Sequence, residues 1–370
     1  MNILIAPDKF KGTLTAIQVA KAIEKGILKT AVNSTINIQP MADGGDGSID
    51  LLNSLNDLTP HSVRVNDPLF RPITATYFTN TDTAFIEMSK ASGLALLKQE
   101  EQNCLKTTSL GTGEMILDAY QKGFKNIKLF IGGSATNDAA IGIAKALGYT
   151  FLDKNGLRLS PIGENLIHIQ TIQKSELSNA IHQLNIEVIC DVENPFFGQK
   201  GAAYTFAKQK GADETAIELL DKGLQNLNRI FIQSGFQDVQ KISGAGAAGG
   251  IGGGMVALFN AQQIAGIDLF INLFDLETKV QNADLIVTGE GRLDHQSFDG
   301  KVVGGVYKLC QKYHKTMAIV CGQYLECETI ETKKLIIHTV IEKANSLTDA
   351  IEHSEKYLEA IGNELINSRT

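Results

Sequence analysis

The sequence has no excess of positive charge, no paired cysteine motif and no long hydrophobic run, and each absence excludes a class of function. Lys and Arg number 34 against 41 Asp and Glu, for a net charge of −7 at pH 7. The cations are scattered rather than gathered into a stripe, which argues against nucleic acid or an anionic membrane as partner. A phosphorylated ligand would therefore need locally placed cations and backbone N–H groups. The five cysteines, Cys104, Cys190, Cys310, Cys321 and Cys327, are odd in number and include no CxxC pair. That fits a reduced, cytoplasmic protein rather than a disulfide framework or zinc site, with each thiol a small buried residue. No run approaches the ~18 apolar residues of a membrane span. Met1 to Pro7 reads as a strand, not a signal peptide. The expectation is a soluble, cytoplasmic, globular protein.

Glycine is plentiful, at 35 of 370 residues, and 43% of the chain is hydrophobic. At about 150 residues per domain, the length suggests two domains. Short apolar strands alternate with amphipathic helices at both ends: strand 3–6, helix 16–30 capped by Thr15, strand 35–39 and helix 49–56, then strand 284–288, helix 302–314, and strands 317–320 and 336–340. Between them, residues 61–88 alternate as antiparallel strands, with turns at Asp67-Pro68 and Asn80-Thr81-Asp82. The pattern predicts an α/β fold: a Rossmann-like parallel-sheet domain built from both chain ends (1–60 plus 280–370), with an inserted mixed α/β domain (61–279).

Five loops share one design, an apolar strand followed by glycines mixed with polar residues and then a helix. They are 8–12, 43–48, 132–138, 244–254 and 289–301. Ligands of α/β proteins bind at the carboxyl ends of parallel strands, so such loops are expected to converge on a crevice. In the third loop, Gly132-Gly133-Ser134-Ala135-Thr136-Asn137-Asp138 precedes a helix expected over 139–147. Its bare N–H groups and dipole would suit a phosphate; alternatively the polar residues are caps. Gly244, Gly246, Gly249 and Gly250 belong to a literal GxGxxG. The preceding Val239-Gln240-Lys241-Ile242 is a poor strand, so a flexible backbone around a phosphate or close helix packing competes with dinucleotide binding. Gly300-Lys301 is followed by Val302, so there is no Walker A sequence.

Phosphoryl transfer to an alcohol needs a base, cations against the γ-phosphate and carboxylates for Mg²⁺. Asp8 or Asp191 would serve as base, and Lys9 and Lys11 as cations. Arg292 suits a phosphate or carboxylate. Glu290 and Asp294 would hold Mg²⁺ or pair with Arg292. Asp43 and Asp46 are further loop carboxylates.

These segments, taken in order, resemble the class I glycerate kinase family. The resemblance rests on Ala6 to Ala16, Met41 to Ser48, Ala84 to Met88 with Ala91 to Leu94, Thr107-Thr108-Ser109 with Gly111 to Glu114, and Ile131 to Asp138. It continues through Cys190-Asp191-Val192 with Asn194-Pro195, Gly201 to Ala203, Gly244 to Gly250, and Thr288 to Asp294 with Gln296-Ser297 and Gly300-Lys301. The chain departs where the family often has Glu at Asp46 and Ser at Lys9, which favours Lys11 as the catalytic cation. The resemblance implies ATP-dependent, Mg²⁺-assisted phosphorylation of D-glycerate, to 2- rather than 3-phosphoglycerate, in a cleft that closes on substrate. The expected roles are Asp8, Lys11, Asp191 and Arg292 in catalysis, and Gly132, Gly133, Ser134, Thr136, Asn137 and the Gly244–Gly250 glycines at ATP. Asp43, Gly44, Gly45, Thr108 and Ser109 would hold substrate, and Asp46, Glu290 and Asp294 the metal. Two rival readings remain: a nicotinamide-dependent oxidoreductase acting on a hydroxy acid, and a non-catalytic sensor of a sugar acid.

Overall fold

A computed structural model describes residues 1–45, 47–55, 58–325 and 335–367. Contacts divide the chain into two compact units, Met1–Leu51 with Ala265–Thr370, and Leu52–Ile264. The sequence reading put these breaks near 60 and 280.

In the first unit the sheet runs Ile336–Thr339, Thr316–Tyr324, Leu285–Leu293, Asn2–Ile5, Thr35–Ile38, with every pairing parallel. Both chain ends thus supply one Rossmann-like sheet. From Asn2–Ile5 the chain first steps to one side, to the edge strand Thr35–Ile38. It later returns on the other side at Leu285–Leu293 and moves outward. The strand order therefore reverses between Asn2–Ile5 and Leu285–Leu293, the place where open α/β sheets present a ligand crevice. Helix Ala16–Ile27 starts at Thr15, whose hydroxyl accepts the Gln18 N–H in a reciprocal capping box. Its apolar stripe, including Val19, Ala20, Ile23 and Ile27, packs into a core with Ile3, Ile5, Val287 and Leu358. The helix ends three residues earlier than the expected 16–30.

The second unit holds a mixed sheet in the order Gln262–Ile264, Asn185–Ile189, Asn126–Phe130, Thr83–Glu87, Pro72–Thr79, Thr59–Asn66. The first four strands are parallel and the last two antiparallel. The alternation read from Val63, Val65, Ile73, Ala75 and Tyr77 is that antiparallel edge. Among the described residues, no helix is long and apolar enough to cross a membrane. Cys104, Cys310 and Cys321 are buried free thiols and Cys190 is a half-buried one, whereas Cys327 lies outside the described residues.

Candidate active site

Three of the five glycine loops belong to the first unit and two to the second. In the first unit, Asn2–Ile5 runs on into Ala6-Pro7-Asp8 while still pairing with its neighbour. The Ala6 N–H donates to Val287 O (2.7 Å), and the Asp8 N–H donates to Gly289 O (2.8 Å). The buried Thr288 hydroxyl donates to Ala6 O at 2.7 Å. These bonds set Asp8 beside Gly289-Glu290 at the strand-order reversal. Asp8 is only 9% exposed, and its Oδ1 accepts the Lys9 N–H at 2.7 Å. Burial and then the charge of Asp43 push its carboxyl up to about 7, with a smaller push from Glu290, while the Lys9 N–H and ammonium oppose. Burial likewise raises Glu290, opposed by a Ser297 hydrogen bond and by Lys301, and reinforced by Asp294 and Asp43. Its Oε1 is buried without a hydrogen-bond partner among the described residues. Asp8, Asp43 and Glu290 are thus one electrostatically coupled carboxylate set, with Lys9 and Lys301 near it.

Asp43 is held from two sides. Its Oδ1 accepts the Gly45 N–H (3.0 Å) next to Gly44, whose φ of 90° favours glycine. Its carbonyl lies where a Cβ on Gly266 would come within 1.8 Å. Lys11 and Arg292 are exposed, and a Cβ on Gly291 would meet Lys11 N at 3.3 Å, so their two loops run side by side. Arg292 Nε lies 3.7 Å from Asp294 Oδ2, while Asp294 Oδ1 caps the Gln296 N–H at 3.0 Å. Asp294 is therefore already committed to its own turn and to Arg292. Asp46 lies outside the described residues. No group of three His, Cys, Asp or Glu could hold a metal ion among the described residues.

In the second unit, the loop after Asn126–Phe130 departs from expectation. Ala139 and Ala140 have φ of 50° and 65°, and the helix is only Ile141–Ala146. A left-handed pair delays the helix, so residues 134–138 do not form its first turn. Thr136, Asn137 and Asp138 are completely buried, whereas Gly132 and Gly133 are exposed. Asp138 Oδ2 accepts the Ser109 N–H (2.7 Å), the Ser109 hydroxyl (2.8 Å) and the Gly142 N–H (3.3 Å). Burial dominates these bonds and raises its carboxyl to about 6. Thr108 and Ser109 are themselves fully buried, Thr108 accepting the Leu110 N–H at 3.2 Å. Thr136 Oγ1 and both amide atoms of Asn137 have no partner among the described residues. Asp191 is exposed just beyond Asn185–Ile189.

The GxGxxG tract lacks the features of a dinucleotide fingerprint. No strand precedes it, Val239 to Ile242 lying in coil and turn, and Ala248, Gly249 and Gly250 are left-handed. That is not a dinucleotide fingerprint. Gly244, Gly246, Gly249 and Gly250 are buried, and added Cβ atoms would meet Gln263 Oε1 (2.5 Å), Pro195 O (2.3 Å), Thr136 O (2.1 Å) and Leu224 Cδ2 (2.9 Å). Close packing explains these glycines. The helix that follows tolerates Gly252 to Gly254 because they too sit against backbone or ring atoms.

Two cations escaped the sequence reading. Lys301 stands at the N-cap of helix Val302–Lys312 and near Glu290, whereas the sequence offers Gly300-Lys301 only as a failed Walker A match and a segment of the family resemblance, with no role for the lysine. Lys210 sits in a polar run, Lys208-Gln209-Lys210-Gly211, that reads as solvated. It is instead 3% exposed, its Nζ donating to Ser134 Oγ and Thr136 O, both at 2.8 Å. Burial lowers its pKa to about 8, opposed by Cys104 and Asp138.

Residues 3–369 match the model of the glycerate kinase family. The chain is 40% identical to glycerate 2-kinase of Escherichia coli (strain K12) over 324 residues, covering 87% of this chain and 85% of that protein. It is 39% identical to a glycerate kinase of Halalkalibacterium halodurans over 323 residues, covering 87% and 85%. A crystal structure from Salmonella typhimurium LT2, described as a glycerate kinase 2, superposes with a TM-score of 0.86 at 34% identity, over 100% of this chain and 98% of that one. The sequence, the parallel sheet built from both chain ends and these matches agree: the chain belongs to the glycerate kinase family.

Proposed function

We propose that this kinase transfers the γ-phosphoryl group of ATP to D-glycerate, forming 2-phosphoglycerate, in the cytoplasm, with the two units as its domains. The observation that carries the reading is Asp8. Its carboxyl titrates near 7 at the strand-order reversal, beside Glu290. A base poised near the working pH is half ready to take a hydroxyl proton as the phosphoryl group arrives. Lys11, Lys9 and Lys301 supply cations on the same unit, and Arg292 suits the substrate carboxylate through its forked donors. In the second unit, the turn of the exposed Gly132-Gly133 into the buried Ser134 offers backbone N–H groups to a phosphate, and Asp191 is the second candidate base.

Mg²⁺ fits the donor set of Glu290 and Asp43. A buried Glu290 Oε1 with no partner among the described residues, within a cluster of like charges, is what a cation would relieve. The lack of a three-ligand cage among the described residues is no obstacle, because Mg²⁺ usually takes one or two carboxylates and completes its shell with phosphates and water. When bound, it would neutralise charge on the transferring phosphate. The reading is tested by coupled ADP release across small hydroxy acids, with NMR of the product. D-glycerate should be the preferred acceptor, the new phosphate should sit on the 2-hydroxyl, and EDTA should stop turnover. Tight NADH binding with no ADP release would instead favour an oxidoreductase, and glycerate binding without ADP release a sensor.

A further inference from the structure

Lys210 presents an unusual arrangement for a buried cation. Among the described residues its ammonium has no carboxylate within ion-pair distance, and both partners, the Ser134 hydroxyl and the Thr136 carbonyl, are neutral. Burying an ammonium against neutral acceptors is costly, and an apolar side chain of similar length would satisfy a purely structural need better. The hydrogen-bond chemistry says what the cation gives in return. An ammonium has only donors, so Ser134 Oγ must accept from it, and the Ser134 hydroxyl proton is released to donate elsewhere. Among the described residues it has no other partner.

The rest of the turn is already fixed. The Leu94 N–H donates to Gly133 O (2.8 Å), the Ala135 N–H donates to Ser92 O (2.9 Å), and the Thr107 hydroxyl donates to Ala135 O (2.8 Å). Just before it, Gly132 is exposed and opens onto free space. Ser134, itself buried next to the exposed Gly132-Gly133, therefore stands on a fixed backbone with its hydroxyl polarised by a buried positive charge.

We propose that Lys210 is a positioning residue that holds the Ser134 hydroxyl as a hydrogen-bond donor to an oxyanion bound at the Gly132–Ser134 turn. The oxyanion is either the glycerate carboxylate or a nucleotide phosphate, and this deepens the functional reading above, on which it rests. Lys210 does not touch the ligand; it acts through Ser134.

The test is a double-mutant cycle on KM, run separately for glycerate at saturating ATP and for ATP at saturating glycerate. Ser134→Ala should raise one of the two KM values about tenfold, the scale of a lost charge-assisted hydrogen bond, and leave kcat nearly unchanged. Ser134→Thr should restore it, and the substrate affected identifies the oxyanion. Lys210→Met should raise the same KM, and should add nothing in the Ser134→Ala background. Should the Met variant not fold, Lys210→Gln, which keeps an N–H donor, takes its place and should fall between wild type and Ser134→Ala. Unchanged KM values in Ser134→Ala, or equal KM penalties for the Lys210 substitution with and without the hydroxyl, would overturn the proposal. Wild-type turnover of glycerate tests the functional reading by itself, so the two failures are told apart.

Discussion

Asp8, three residues beyond strand Asn2–Ile5, donates its N–H to Gly289 O, next to Glu290 on the adjacent parallel strand Leu285–Leu293, and each carboxyl is held above its ordinary range. Two like charges brought together and half desolvated are poor for stability. The strand-order reversal that brings them together is also where a ligand would find them.

That tension has a pH signature. The unfolded chain loses the Asp8 proton near the ordinary value of 3.8, whereas the folded protein holds it to about 7. Between those values the native state binds more protons, so this group's contribution to stability falls as pH rises through the window. Asp8→Asn should therefore raise Tm by several degrees at pH 8 and by almost nothing at pH 4. Thermal melts at the two pH values check this, and an equal shift at both would contradict it.

Lys11 is the candidate catalytic cation of the first unit and Asp191 the second candidate base, in the other unit. Lys11→Ala and Asp191→Asn should each lower turnover at least about a hundredfold, the usual loss for a catalytic cation or base. Circular dichroism should show both variants folded. Near-normal turnover in both would remove them from the mechanism.

The glycines separate into two classes that one substitution can tell apart. A Cβ on Gly254 would stand 2.0 Å from Ala139 O, a backbone atom that cannot swing away, whereas one on Gly132 meets nothing within 4 Å. Gly254→Ala should cost at least about 2 kcal/mol in urea unfolding. Gly132→Ala should change stability by less than about 0.5 kcal/mol, yet raise the KM for the ligand received at that turn.

Much of the fold was legible because both strand and helix periods are clean. The apolar runs Ile3 to Ala6 and Leu285-Ile286-Val287, and the Thr15 cap, sit where hydrophobic spacing and capping chemistry place them. The first-unit loops were legible for the same reason, since Asp8 and Glu290 each come just after a run of buried apolar residues, Ile3 to Ala6 and Leu285 to Val287. The second unit was harder. Residues 134–138 look like the polar start of a helix, but two left-handed alanines, which nothing in Ala139-Ala140 announces, turn that segment inward. The glycines at 244–254 read as ligand-facing because sequence shows their flexibility and not the backbone atoms packed against them. Lys210 was invisible for a related reason: a lysine between polar neighbours gives no sign that tertiary packing will bury it.

The central claim, that the Asp8 carboxylate at the strand-order reversal performs proton transfer in glycerate phosphorylation, is tested most directly by steady-state turnover of Asp8→Asn at saturating glycerate and ATP, at pH 8. A kcat at least about a hundredfold below wild type, with both KM values within a few-fold, is the expected result. A variant that turns over at the wild-type rate would contradict it.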